Sequence, residues 1–121
     1  MDVRLRDGIK LFNEGRFFES HEIWEQFYQE TEDAHKPFLE ALIQMAAAFR
    51  LYTDFGEVKG PVRMIYQALI RFENYQPSYL GIRIDKLSAA MEAWAKEAET
   101  ASGKFSSSVP KIHLQGFHFF R

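Results

Sequence analysis

Apolar residues recur along this chain at helical spacing, and the stretches between them hold residues that end helices. Leu5, Ile9 and Phe12 stand at i, i+4 and i+7, and Asn13-Glu14-Gly15 then reads as a helix stop. A second helix is predicted from about Phe17 to Gln29, ahead of the polar turn Thr31-Glu32-Asp33-Ala34-His35-Lys36-Pro37. A third starts at Pro37 or Phe38, because proline is favoured in a first turn, and runs to Phe55-Gly56. Gly60-Pro61 opens or sharply bends a fourth, which carries Val62, Ile65, Leu69 and Phe72 and closes at Asn74-Tyr75-Gln76-Pro77-Ser78. A fifth, from about Asp85 to Ser102, shows Leu87, Met91, Trp94, Ala98 and Ala101, with Gly103 as its stop. No run of alternating β-branched residues competes with these helices, the tail excepted.

The third helix sets the architecture. Phe38, Leu42, Met45, Phe49 and Tyr52 form one stripe, and Ala41, Ala48, Leu51 and Phe55 a second on a different side. A helix apolar on most sides is surrounded by other helices, and Ala46-Ala47-Ala48 lets neighbours approach closely. The expected fold is all-α: a single bundle of about five helices around this central one. The helical domain takes residues 1–102, and a tail follows over 103–121. In the tail, Lys104 to Ser108 reads as a linker, and Val109, Ile112, Leu114, Phe117, Phe119 and Phe120 come after it. Pro110 and Gly116 disfavour helix, so this segment is expected to be extended. It is too apolar to stay in water and should dock, either on its own bundle over Ile23 and Phe27 or on a second subunit. His113 and His118 are expected to face solvent.

Composition narrows the function classes. The 121 residues are 46% hydrophobic and 26% charged, a globular balance. A net charge of −2 leaves no electrostatic footprint for nucleic acid. Zero Cys excludes disulfides, a thiolate zinc site and a cysteine nucleophile. No signal peptide or membrane span is read in the chain, so a cytoplasmic, non-membrane protein is expected. No phosphate-cradling Gly loop or Gly-x-Ser-x-Gly elbow occurs. Aromatic residues make up 16%, with 12 Phe, and supply anchors for a core or for an interface with a protein partner or a second copy.

The candidate chemistry lies on the second helix. Phe17, Trp24 and Tyr28 define an aromatic face, His21 falls within it, and Glu25 falls beside His21 one turn on. Two ionisable groups thus share a face expected to be buried, and a buried carboxylate needs a partner. Three uses fit this pair. It forms a structural imidazole–carboxylate hydrogen bond, it holds a divalent metal at i, i+4 spacing, or it does metal-free acid–base work. Glu22 sits on the rim as a candidate general base. Gln44, on the second face of the central helix, is a plausible partner for His21 or Glu25, and Asn13 is a helix-end residue. The string His21-Glu22-Ile23-Trp24-Glu25 differs from the zincin motif by Glu in place of the last His. Glu32-Asp33-Ala34-His35 lies in a turn and does not make a di-iron site.

The run Phe12-Asn13-Glu14-Gly15-Arg16-Phe17-Phe18-Glu19-Ser20-His21-Glu22-Ile23-Trp24-Glu25 resembles the bacterial family known as domain of unknown function 309. Two further blocks agree, Phe38 to Ala48 and Tyr79-Leu80-Gly81-Ile82. The resemblance implies a compact all-helical domain and brings the description "predicted metal-dependent hydrolase". The polar positions it carries over are Asn13, Glu19, His21, Glu22, Glu25 and Gln44; in a metal-dependent mechanism His21 and Glu25 would be the ligands and Glu22 the candidate general base. Two positions depart from the family pattern. Arg50-Leu51-Tyr52 stands where members show a late His, and Arg83 stands where an Asp is expected, which leaves Asp85 to cap the fifth helix. A metal-dependent hydrolase is therefore one expected function. The other is a non-catalytic helical interaction module in which the His/Glu cluster is structural.

Overall fold

The structure, a computed structural model, describes residues 1–100 and 108–116. Five helices follow in order: α1 (Val3–Asn13), α2 (Phe17–Glu30), α3 (Lys36–Phe55), α4 (Lys59–Phe72) and α5 (Ile84–Thr100). The all-α bundle read from the periodicity is the fold observed. Short 3-10 turns at Asp33–His35 and Glu73–Tyr75 lead into α3 and out of α4. Asp2 caps α1 by accepting from the Arg4 N–H at 2.8 Å, and Gly56 ends α3 at φ 69°, a conformation that favours glycine.

Helix α3 is the axis of the core. Phe38, Leu39, Ala41, Leu42, Met45, Ala46, Ala48 and Phe49 are buried along it. Its aromatic rings reach every other helix. Phe49 meets Phe12 of α1, Phe17 of α2 and Trp94 of α5 with centroids 5.9, 6.0 and 4.9 Å away, and Phe38 meets Phe72 of α4 at 5.7 Å. The second stripe stops short of its expected end, for Phe55 in the last turn is exposed. Helix α4 starts at Lys59, so Pro61 sits inside its first turn, where a missing N–H costs nothing.

A small β element was not foreseen. Strands β1 (Ser78–Tyr79) and β2 (Ile82–Arg83) pair antiparallel around Leu80 and Gly81, both at positive φ. Two central residues of positive φ make the hairpin turn that matches strand twist. The tail extends this element. Leu114 bridges Ile82, the Arg83 N–H donates to His113 O at 2.9 Å, and the Gln115 N–H donates to Gly81 O at 2.7 Å. Among the described residues of the tail, Pro110 and Ile112 are buried and His113 is exposed. The Lys104–Ser108 linker up to residue 107, the last turn expected of α5 at 101–102, and Phe117, His118, Phe119 and Phe120 lie outside the described residues.

Candidate functional site

Helix α2 lies one flank away from the orientation expected. Its buried residues are Phe17, Ser20, Trp24 and Phe27, so His21 and Tyr28 sit at the edge of the core and Glu25 beyond it. The cause is a close crossing with α1. Ser20 Oγ donates to Gly8 O at 2.9 Å, and Trp24 Nε1 donates to Leu5 O at 3.3 Å. A Cβ at Gly8 would lie 2.1 Å from Trp24 Nε1. The small residues Gly8 and Ser20 let the indole settle between the helices. That turns the Ser20 side of α2 inward, and it moves the His21 side outward.

The expected buried pair is therefore a surface pair. His21 Nε2 stands 3.9 Å from Glu25 Oε2, with side chains 31% and 51% exposed. At that length and exposure it is a loose imidazole–carboxylate contact at the surface rather than a structural core contact. Glu22 is exposed, and Glu19 is held by Arg16, whose Nη2 donates to its carboxylate at 3.1 Å. Its own backbone N–H, and then Arg16, keep the Glu19 carboxyl below its ordinary value. Gln44 does not bond His21 or Glu25. Its Nε2 donates to Gln67 Oε1 at 2.6 Å and its Oε1 accepts from Arg71 Nη1 at 2.9 Å, which ties α3 to α4. With Glu25, Tyr28, Glu40, Ile43 and Arg71 it lines a shallow cavity of about 360 Å³.

A hydrolytic zinc needs three protein ligands and an open position. His21 and Glu25 supply two, and among the described residues no three His, Asp or Glu side chains come together as a group able to hold a metal ion. His21 and Glu25, two donors facing solvent, do not fit that three-ligand site.

Asn13 has a role that helix-end chemistry does not describe. Its side-chain amide donates to Ile112 O at 2.9 Å, and its Oδ1 accepts from the Ile112 N–H at 2.8 Å. Lys111 Nζ adds a bond to Asn13 O at 2.6 Å. Asn13 thus reads the tail backbone as a neighbouring strand would, at the point where Ile112 enters the core. Asp85 lies within the first turn of α5 rather than before it. It pairs with Arg83, whose Nη2 is 2.8 Å away, and accepts from the Lys86 N–H at 2.8 Å. The Arg83 guanidinium above all holds its carboxyl down, at about 2.

A larger, more apolar concavity lies elsewhere, where tail, hairpin and helix ends meet. Met1, Leu5, Phe27, Leu80 and Leu114 form apolar walls around about 690 Å³, and Asp2, Arg6, His35 and Gln115 also line it. Gly81 and Gly116 complete its lining. Phe27, with the Arg4 guanidinium 5.2 Å over its ring, belongs to both core and groove. His35 is oriented by Tyr79, whose hydroxyl is 2.6 Å from Nδ1. Burial raises the Tyr79 hydroxyl above its ordinary value, which keeps it protonated. Sequence reading passed over this groove because its walls come from four separate stretches. The one local sign was Tyr79-Leu80-Gly81-Ile82, two apolar positions around a turn that needs glycine.

Residues 5–64 match the family model described as Domain of unknown function (DUF309). The match takes in α1 to α3 and the start of α4, including the α1–α2 crossing, and stops short of the hairpin and tail. No curated protein matches the chain.

Proposed function

We propose that this chain, whose residues 5–64 match a family of unknown function, is a non-catalytic helical interaction module. Its receptor site is the apolar groove between α1, the end of α2, the hairpin and the tail. The observation that carries this reading is a cavity of about 690 Å³ walled by Leu5, Phe27, Leu80 and Leu114. That size is typical of ligand-binding clefts, which are mostly apolar with a few polar groups that fix orientation. Here those groups are His35, Arg6, Asp2 and Gln115. Large apolar walls with a few polar groups among them suit a short peptide segment that presents aromatic side chains. A metal-dependent hydrolase is the less supported reading, because His21 and Glu25 form a solvent-facing pair.

Titration of the full chain with a hexapeptide rich in phenylalanine, followed by methyl NMR, tests the proposal. Shifts are expected at Leu5, Leu80 and Leu114 and should be lost in Leu114→Asp, which places a charge in the groove without touching the core. Shifts confined to the surroundings of His21 and Glu25, or a zinc-dependent hydrolysis abolished by His21→Ala, would overturn it.

A further inference from the structure

Most arginines of this protein stand beside a carboxylate: Arg4, Arg6, Arg16, Arg50 and Arg83 each have an Asp or Glu in ion-pair range. Arg71, half-buried in the last turn of α4, has none among the described residues. A neutral amide holds it instead, for Nη1 donates to Gln44 Oε1 at 2.9 Å. Two carboxylates nevertheless line the same cavity of about 360 Å³, Glu25 from α2 and Glu40 from α3. Glu25 keeps one loose contact, with His21 Nε2 at 3.9 Å. Glu40 is exposed and has no cation in ion-pair range among the described residues. Opposite charges thus line one recess without closing on each other. We infer that this recess binds a free α-amino acid with an apolar side chain, its carboxylate on Arg71 and its ammonium at Glu40 and Glu25.

The charges fit a zwitterion better than a simple ion. A lone anion would meet two carboxylates besides Arg71, and a lone cation would meet the guanidinium besides the carboxylates. Gln44 takes one of the guanidinium's N–H donors, which leaves a fork free for a ligand carboxylate. The Gln44 amide is itself fixed, since its Nε2 donates to Gln67 Oε1 at 2.6 Å, so Arg71 is held in place before a ligand arrives. The spacing agrees. Glu40 and Gln44 lie one turn apart on α3, about 5–6 Å between Cβ atoms. The two ends of the recess are therefore close, as the two charged groups on one α-carbon are. Tyr28 and Ile43 complete the lining and offer a ring and an aliphatic chain to an apolar side chain. The recess shares no residue with the apolar groove, so the two sites stand or fall separately.

Titration of the full chain with leucine, leucinamide and N-acetyl-leucine tests the inference, read by calorimetry and by the Ile43 methyl and Arg71 Nε–H signals in NMR. Leucine should bind and move both signals. Leucinamide, which lacks the carboxylate, and N-acetyl-leucine, which lacks the ammonium, should each bind more weakly by about tenfold or more. Arg71→Gln and Glu40→Gln should each lower leucine affinity by about the same factor. Glu40→Gln alters only an exposed side chain, so the test holds even where Arg71→Gln fails to fold. Equal binding of either capped analogue, unchanged affinity in Glu40→Gln, or no binding of leucine at millimolar concentration would overturn the inference. Shifts at Leu80 and Leu114 in place of Ile43 would put leucine in the groove and overturn it as well.

Discussion

At Gly8 the missing side chain is what the α1–α2 crossing requires, since Trp24 Nε1 occupies the place of its Cβ at 2.1 Å. Gly8→Ala is expected to destabilise the fold by about 1–3 kcal/mol, as overpacking of a tight core does, although alanine is the better helix former. Urea denaturation of the two proteins measures it. A second residue-scale expectation concerns acid. Arg83 holds the Asp85 carboxyl at about 2, below its ordinary 3.8. Because the folded value is depressed, the pair's contribution is present above the ordinary value and is lost as pH falls through about 2. Carbon NMR of the Asp85 carboxyl should titrate near that value, and Arg83→Gln should return it toward the ordinary carboxylate range. Both residues were visible in the chain. What they touch was not, because Gly8 meets Trp24 across a helix crossing and Arg83 stands in a hairpin that periodicity did not reveal.

Among the elements, the tail and hairpin stand or fall together. Ile112 is buried, and its backbone is gripped on both sides by the Asn13 amide. Asn13→Ala removes both bonds and leaves the Ile112 N–H and C=O without that partner, at an expected cost of about 1–3 kcal/mol. Amide hydrogen exchange localises the effect. Exchange should quicken at Ile112, Arg83 and Gln115, while the interior of α3 keeps its protection. Uniform quickening throughout would mean that the tail is not a separate unit of stability. The helices themselves were legible to within a few residues, because their apolar spacing and stop residues act locally. The hairpin escaped because two-residue strands carry too little alternation to register, and only the turn residues Leu80 and Gly81 mark it.

For the molecule as a whole, stability is concentrated around α3 and nearly absent from the polar motif on α2. Phe49 is fully buried and meets rings from α1, α2 and α5. Phe49→Ala is expected to cost about 3–5 kcal/mol. The double substitution His21→Ala with Glu25→Ala should stay within about 0.5 kcal/mol of the unaltered protein, as substitutions at exposed surface contacts do. Thermal melts of the three proteins decide this. A loss of several kcal/mol in the double variant would restore the buried structural role first expected of the pair. Among the described residues no helix is long and apolar enough to cross a membrane.

The sequence by itself determined five helices, a central α3 and an extended apolar tail, because each follows from spacing or backbone chemistry within a few neighbouring residues. It placed His21 and Glu25 correctly on one stretch of α2, one helical turn apart. It could not decide which way that stretch faces. A helix wheel permits neighbouring orientations when aromatic residues span a broad arc, and Phe17, Trp24, Phe27 and Tyr28 do so. The choice was made by contacts distant in the chain. Gly8 and Ser20 admit the Trp24 indole between two helices, and that rotation carries His21 and Glu25 toward solvent. The groove has the same origin. Met1, Leu5, Phe27, Leu80 and Leu114 become one surface only when the tail has paired with β2 and Asn13 has closed on Ile112.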